Sequence, residues 1–448
     1  MNPDLVTREF TIKKKKIKLM YLESVTSNDT VSDFVINAIV NIKKNGFKNI
    51  EENIYNGKVS KSKDLAMIDY YLANGFTLLF IDDYYLYLET KESLDRGVTN
   101  TLTEVTLRGS KDSFTENYNK NIGLIRKRIK DSNIGFKELV IGKRTKTKVC
   151  ISFINDITNL SNVSKIYHKL KKINIDGILD ISHIRDFLNN DKRTLFPTMI
   201  ISERPDLACK SLLNGKICII VENSPFVLII PGLFNDFLIS PEDEYQKSVN
   251  GSITRYLRLM AFFTTILVPS LYVAITTFNQ EIIPDTLLIS LAVQRSTVPF
   301  PTAFAVFIFM ITFEILREAD MRMPSNMGTS ISIVGALVLG DAAVNAGIVS
   351  PIVVIIVAIS AITGLLFTDI DFINALRFWK FLFLFFSTVM GLIGFVVALL
   401  IFLTKLCSIE VLGIPYTDYL NLSIKPKNKD KYRYLSNNKL RLDDSNED

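Results

Sequence analysis

The sequence predicts an α/β amino-terminal domain in two parts, followed by an α-helical polytopic membrane domain. Two observations carry that fold class. After Leu259, long apolar runs recur at Leu259–Phe278, Ile331–Ile348, Ile352–Phe367 and Phe381–Thr404. A bilayer core takes about 20 apolar residues per helix, so the outer two runs are long enough and the middle two come close. Before Leu259, helix-period and strand-period segments alternate as they do where helices cover the faces of a sheet.

The elements follow in order. Residues 1–20 read as a basic amino-terminal arm with little structure of its own. Asn28–Asn45 has helical periodicity through Val31, Phe34, Val35, Ala38, Ile39 and Ile42, with Ser27, Asn28 and Asp29 as capping residues. Phe76–Ile81 and Tyr84–Leu88 form a hairpin about Asp82-Asp83. Glu116–Lys130 is a helix with a basic end. From there Val149–Phe153, Thr198–Ser202, Lys216–Glu222 and Phe226–Ile230 read as strands. Val163–Ile173, His183–Asn190 and Leu207–Leu213 read as helices. The expected divisions are an arm at 1–20, subdomains at 21–137 and 138–250, a membrane domain at 251–410 and a charged tail at 411–448.

Composition narrows the chemistry. The net charge of +6 is clustered at Lys13–Lys16, Arg126–Lys130 and Lys425–Arg433. Beside membrane segments such clusters read as contact with anionic lipid, not nucleic acid. Cys150, Cys209, Cys218 and Cys407 have no close pairing, which argues against a zinc site or a disulfide framework. With His168 and His183 as the only histidines, a His-based metal site or a nucleophile triad is poorly supplied. Neither a Rossmann fingerprint nor a P-loop is present, so no cofactor is expected and an enzyme is the least favoured class. The first twenty residues lack an apolar core of the signal-peptide kind, so the amino-terminal domain is expected on the cytoplasmic side.

Several strings are more specific than composition. They are TEVTLRGSKDSFTEN from Thr103, IGKRTKTKV from Ile141, INIDGILD from Ile173, and the run from Phe196 to Phe237 containing Glu203-Arg204-Pro205-Asp206. Two more lie among the apolar runs: TFNQEIIPDTLLISLAVQRSTVPFP, and TFEILREADMRMPSNMGTSISIVGALVLGDAAVNAGIVSP. Together they resemble the A-subunit (GerA) family of bacterial spore germination receptors, including the paralogous SpoVA-operon A-subunit-like proteins.

The resemblance implies a multi-pass protein of the spore inner membrane. It implies a ring-shaped homo-oligomer forming an ion channel, with a multispanning B subunit that senses nutrient and a lipoprotein C subunit as partners. Arg108, Gly109, Phe114, Glu203, Arg204, Pro205 and Asp206 are the motif or assembly candidates. The family's Arg-Gly-Pro-Arg-Glu-Gly-Phe stands here as Arg108-Gly109-Ser110-Lys111-Asp112-Ser113-Phe114. Its Gly-Gln-Ala-Ala-Val stands as Gly340-Asp341-Ala342-Ala343-Val344, a carboxylate in place of an amide.

Charged residues among the apolar runs are the pore or gating candidates. Glu314, Arg317 and Glu318 follow an apolar stretch at helical spacing, and Arg317 is placed to pair with Glu314. One reading of Phe300–Ala319 is a membrane-surface helix with a satisfied ion pair; the other is the lining of a pore vestibule. Asp341 and Asn345 lie four apart on a helix rich in small residues, the kind that packs closely in lipid. A carboxylate there either bonds within its own hairpin or lines a cation pathway. Arg377, Trp379 and Lys380 read as an interfacial anchor set, and Phe381–Thr404 as a plain lipid-facing span. A non-channel assembly platform and an active transporter are the competing functions, and no inverted repeat favours the second.

Overall fold

A computed structural model describes residues 4–12, 15–37, 39, 54, 59–81, 84–91, 104, 109–189, 194–240, 242–245, 248–322 and 338–418. Arg108, the Asp82-Asp83 turn, residues 323–337 and the basic tail from Tyr419 onward lie outside the described residues. The chain divides into two compact units, the first built on residues up to 192 with 198–231, the second on 193–197 with 232–422.

The first unit carries two five-stranded sheets. Strands β1 (Leu5–Ile12), β2 (Lys15–Leu22), β3 (Val59–Ser62), β4 (Phe76–Ile81) and β5 (Tyr84–Glu89) are ordered β1-β2-β4-β5-β3, antiparallel throughout. The segment expected as a weakly structured basic arm is therefore a hairpin, and β2 lies inside the sheet. The physical reason is period two: Ile17 and Leu19 are buried while Lys16 and Lys18 are exposed. The lysines decorate the outer face of a strand whose inner face is core. That core joins Ile17 and Leu19 to Leu79, Leu86, Val31 and Val35. On the other face, Leu22, Val25, Leu78 and Tyr85 pack with Leu72 of helix α1 (Ile68–Ala73).

The second sheet is ordered β6-β7-β9-β10-β8, from β6 (Ile134–Ile141), β7 (Thr147–Ile154), β8 (Ile200–Ser202), β9 (Ile217–Val221) and β10 (Val227–Ile230). All its pairings are also antiparallel. Helices α2 (Tyr118–Arg128) and α5 (Pro205–Leu213) cover one face, where Ile122, Ile125, Ala208 and Leu212 meet Cys150, Cys218, Ile220 and Ile229. Helices α3 (Leu160–Lys171) and α4 (Ile181–Leu188) also pack on the sheet, against β6, β7 and β10. Coverage by helices explains why β9 and β10 are buried at every position. Their turn uses Asn223 at φ +64°, a conformation that Asn adopts more readily than most residues. The boundary expected between 137 and 138 falls inside β6, and α2 belongs to the second sheet's core.

The second unit is helical: α6 (Phe234–Leu238), α7 (Ser248–Phe278), α8 (Asp285–Ser296), α9 (Thr302–Arg322), a helical stretch at 338–345, α10 (Pro351–Gly364) and α11 (Ile370–Ser408). Among the described residues, two helices, α7 and α11, are long and apolar enough to cross a membrane. Helix α9 packs one face into the bundle and leaves Phe304, Phe307 and Ile315 exposed on the other. Its Val306, Phe309 and Met310 are buried with Val273 of α7, Val353 and Val357 of α10, and Leu384 of α11.

Helix α11 is not a plain span. Its 39 residues would extend about 58 Å if straight. Trp379 and Phe402 would then stand about 35 Å apart. Their rings are 4.9 Å apart, and Phe262 lies about equally close to Phe372, at 6.0 Å, and Phe402, at 6.1 Å. The helix therefore folds back on itself at Gly391, whose φ of +60° and ψ of −137° are non-helical. A Cβ on Gly391 would meet the Phe278 side chain at 2.7 Å, so both the bend and the close approach require glycine. The anchor set expected at 377–380 is accordingly not at a surface: Trp379 and Lys380 are buried between the two arms and their neighbours.

Candidate functional site

Charge is concentrated where α9 meets the first arm of α11. Asp369 caps that arm by accepting a hydrogen bond from Phe372 N at 2.8 Å, which fixes the helix start and places Arg377 and Lys380 three apart on one side. Both face Glu314. Lys380 Nζ donates a hydrogen bond to Glu314 Oε1 at 2.8 Å. Arg377 Nε stands 2.8 Å from Oε2, and Arg317 Nη2 stands 2.7 Å from the same oxygen. One carboxylate thus gathers three cations. The two guanidinium contacts have ion-pair distance without hydrogen-bond alignment. Nε and Nη2 of Arg317 and Nε of Arg377 are buried with no hydrogen-bond acceptor. Glu318, one turn beyond Glu314, is half-buried. A cavity of about 480 Å³ opens beside this cluster, with Thr265, Ser360 and Asp320 also in its wall.

Asp341 and Asn345 form a separate pair. Asn345 Nδ2 donates to Asp341 Oδ2 at 3.0 Å, and both residues are exposed. On the other side of the helical stretch at 338–345, Gly340 and Ala343 are buried, and a Cβ at Gly340 would lie 3.5 Å from Val354 of α10. Gly347, at φ +66°, ends the helix. Its N–H bonds to Val344 O and the Ile348 N–H bonds to Ala343 O, a Schellman closure. Small residues thus seat one face against α10, while Asp341 and Asn345 lie on the face left open. Neither Asp341 nor Asn345 lines the cavity at Glu314.

In the first unit, the Glu203-Arg204-Pro205-Asp206 string clamps the segment around Glu104 and Phe114. Pro205 occupies the first turn of α5, where its missing N–H costs nothing. Arg204 has no exposed side-chain surface; Nε and Nη2 donate to Asp206 at 3.1 and 2.7 Å, while Nη1 and Nη2 donate to the carbonyls of Glu104 and Ser110, each at 3.2 Å. Glu203 Oε1 accepts from Glu104 N at 2.9 Å, and the Glu203 carbonyl accepts from Phe114 N at 2.8 Å. Phe114 is buried in the second sheet's core, and Gly109 supplies φ +118° on the way to it. Where the family's proline and second glycine are missing, Arg128 Nη2 grips both Asp112 oxygens at 2.6 and 2.5 Å, and Ser110 Oγ donates to the same carboxylate.

Two carboxylates here are shifted in opposite directions. Burial raises Glu104 to about 7, reinforced by the neighbouring Glu203 and opposed by the Ser202 hydroxyl and Arg204. Burial also works against Asp112, but the hydrogen bonds from Arg128 and Ser110 outweigh it and hold its pKa below the usual value. Burial pushes the Cys150 and Cys209 thiols up to about 12, so neither is poised as a thiolate. Among the described residues no group of three or more His, Cys, Asp or Glu side chains is arranged to hold a metal ion.

The cluster at Glu314 was only half legible in the sequence. The i, i+3 partner Arg317 was visible, but Arg377 and Lys380 lie more than 60 residues on and reach Glu314 only because α11 packs on α9. An acid near one apolar run and two cations three apart near another are the signal that the sequence carries.

The sequence matches the Bacillus/Clostridium GerA spore germination protein family over residues 1–435. Spore germination protein KA of Bacillus subtilis is 36% identical, the match covering 92% of this chain and 78% of that protein. The uncharacterized membrane protein YfkQ of Bacillus subtilis is 32% identical, covering 89% of this chain and 79% of that protein. Among solved structures, the N-terminal domain of the A subunit of the Bacillus megaterium spore germinant receptor GerK3 is 29% identical with a TM-score of 0.40, covering 52% of this chain and 90% of that one.

Proposed function

This chain belongs to the GerA family of spore germination proteins, and from that premise we propose that it is the A subunit of a nutrient germinant receptor whose copies surround a cation pathway lined by Asp341. Its partners in this reading are a multispanning B subunit that senses nutrient, a lipoprotein C subunit and further copies of itself, in the inner membrane of the spore. The observation that carries the reading is the exposure of Asp341 and Asn345 on the helical stretch at 338–345 of the apolar unit. A carboxylate facing hydrocarbon is costly, so it demands water or a protein neighbour on that side. Repetition around a symmetry axis supplies both, and a ring of carboxylates attracts cations.

The chain path supports a multi-pass topology with the amino-terminal unit and the carboxy-terminal tail on one side. Tyr416, just past α11, packs on Phe234 and Phe237, just before α7, and its carbonyl accepts from Phe234 N at 3.0 Å. The chain thus leaves the bundle at the end where it enters, and the cytoplasmic face is that end in this reading.

The test is the oligomeric state of the full chain in mild detergent. A closed ring supports a shared pathway; a monomer under conditions that keep the receptor intact contradicts it. A second reading, an assembly platform without a pathway, is favoured by the exposed apolar residues Val140, Leu160, Leu179 and Phe187 of the first unit. A ring that passes no ions would favour the platform, or the SpoVA-type role in which the chain only amplifies ion release through other proteins.

A further inference from the structure

We propose that the cavity beside Glu314 is a binding site for an anionic phospholipid, with the phosphate held by Arg317 and Arg377 and the acyl chain leaving through an apolar mouth. The proposal rests on the reading of the second unit as membrane-embedded.

The cavity has two chemically different ends. At one end stand Arg317, Arg377 and Lys380 against the single carboxylate of Glu314, with Asp320 also in the wall. Three cations face two carboxylates in the lining, and Glu318 stands outside it, near Arg317. Lys380 spends its hydrogen bond on Glu314 Oε1. Nη2 of Arg317 and Nε of Arg377, by contrast, stand at ion-pair distance from Glu314 Oε2 without hydrogen-bond alignment, and Nε of Arg317 is buried with no hydrogen-bond acceptor. Buried N–H groups left unpaired cost free energy, and the group that satisfies several at once is an oxoanion with more than one acceptor oxygen. Glu314 keeps the two guanidinium groups together where repulsion alone would part them.

Apart from Thr265 and Ser360, the rest of the wall is apolar, through Val354, Ala358, Ile373 and Leu376 among others. At its rim Ile362 and Leu365 are 64% and 66% exposed. A mouth made of exposed Ile and Leu in a membrane unit opens to acyl chains, not to water. The volume of about 480 Å³ suits a headgroup with the first part of a chain. A small hydrophilic anion would satisfy the donors yet leave the apolar wall uncovered; a lipid with a negative headgroup matches both ends.

The chain contains one tryptophan, and it is Trp379, between the two cations of α11 and only 4% exposed. Its ring packs on Phe402 of the second arm, so its fluorescence reports on lipid held close to the first arm of α11 beside the cavity. The full chain is reconstituted into vesicles of phosphatidylcholine containing brominated phosphatidylglycerol or, in parallel, brominated phosphatidylcholine. The expected result is stronger quenching by the anionic lipid, with half-effect at about fivefold lower mole fraction. In the Arg317→Gln/Arg377→Gln double variant that preference disappears, while Arg317→Lys, which keeps the charge, retains most of it; circular dichroism checks that each variant is helical. Equal quenching by the two lipids, or an unchanged preference in the double variant, overturns the proposal. So does loss of the preference on adding millimolar inorganic phosphate, which would make the site one for free oxoanions. Flotation of the vesicles separates the two failures: protein that does not float fails the membrane reading itself, while protein that floats without headgroup preference fails only this proposal.

Discussion

Two guanidinium groups in the first unit are buried together with their charge, and each is matched to a carboxylate. Arg126 Nε and Nη2 each donate to Asp4 at 2.9 Å, with 3% and 5% of the two side chains exposed, and Ser24 donates to the same carboxylate at 2.6 Å. Removing one partner leaves the other charge buried alone, so Arg126→Ala is expected to cost about 3–5 kcal/mol, read from denaturant midpoints of the full chain. The pair ties the residue before β1 to α2, which is why a change far from any candidate site unsettles both sheets.

Glu104 gives a pH signature. Folded, it keeps its proton up to about 7; unfolded, it loses it near 4.5. Between those values the folded state binds more protons, so stability falls as pH rises through that window. Glu104→Gln is expected to remove this fall, measured as urea midpoints at several pH values. Asp112 works the other way: its contribution is present above the ordinary carboxyl value and is lost as pH falls through its lowered one. Neither shift was legible in the sequence, since each depends on what burial brings alongside the carboxyl. The family pattern singles out Glu203 and Arg204, and the structure supplies their work: they hold Glu104, Ser110 and Phe114.

At the scale of elements, β7 to β10 and helices α2 to α5 stand where their sequence patterns place them, while β6 (Ile134–Ile141) is a strand that those patterns did not mark. Two elements depart from expectation for opposite reasons. The basic run Lys13–Lys16, which leads into β2, obscures the alternation of Ile17, Leu19 and Tyr21. In α11, uniform apolarity hid a turn, since periodicity has nothing to say where both faces are apolar. Gly391 and Gly394 were the only marks of it, and a Cβ at Gly394 would meet the Phe386 carbonyl oxygen at 2.0 Å. Gly391→Ala forces an L-residue to φ +60° and into Phe278, and is expected to lower stability by about 1–3 kcal/mol. A thermal melt of the detergent-solubilised chain checks this.

At the scale of the molecule, the chain joins a unit of two antiparallel sheets to a unit of apolar helices. Membrane association follows from the family and from helices α7 and α11. The second unit handles its charges in two ways. At Glu314 they are gathered inside the bundle, where neighbours compensate them; at Asp341 the carboxylate has one amide for company and an open face. The first arrangement holds helices and, as proposed above, a lipid. The second makes sense when other copies complete it. The spacing of Asp341 and Asn345 was legible in the sequence; which face they share was not, because the small residues that pack on α10 alternate with them.

The measurement that tests this account most directly is the cation-to-anion permeability ratio of the assembled receptor in planar bilayers, for the native chain and for Asp341→Asn. The account predicts a cation-selective conductance whose ratio falls by about tenfold in the variant, since each copy in the ring loses a charge. A conductance whose selectivity is unchanged by the substitution, or an assembled ring that carries no current, would contradict it.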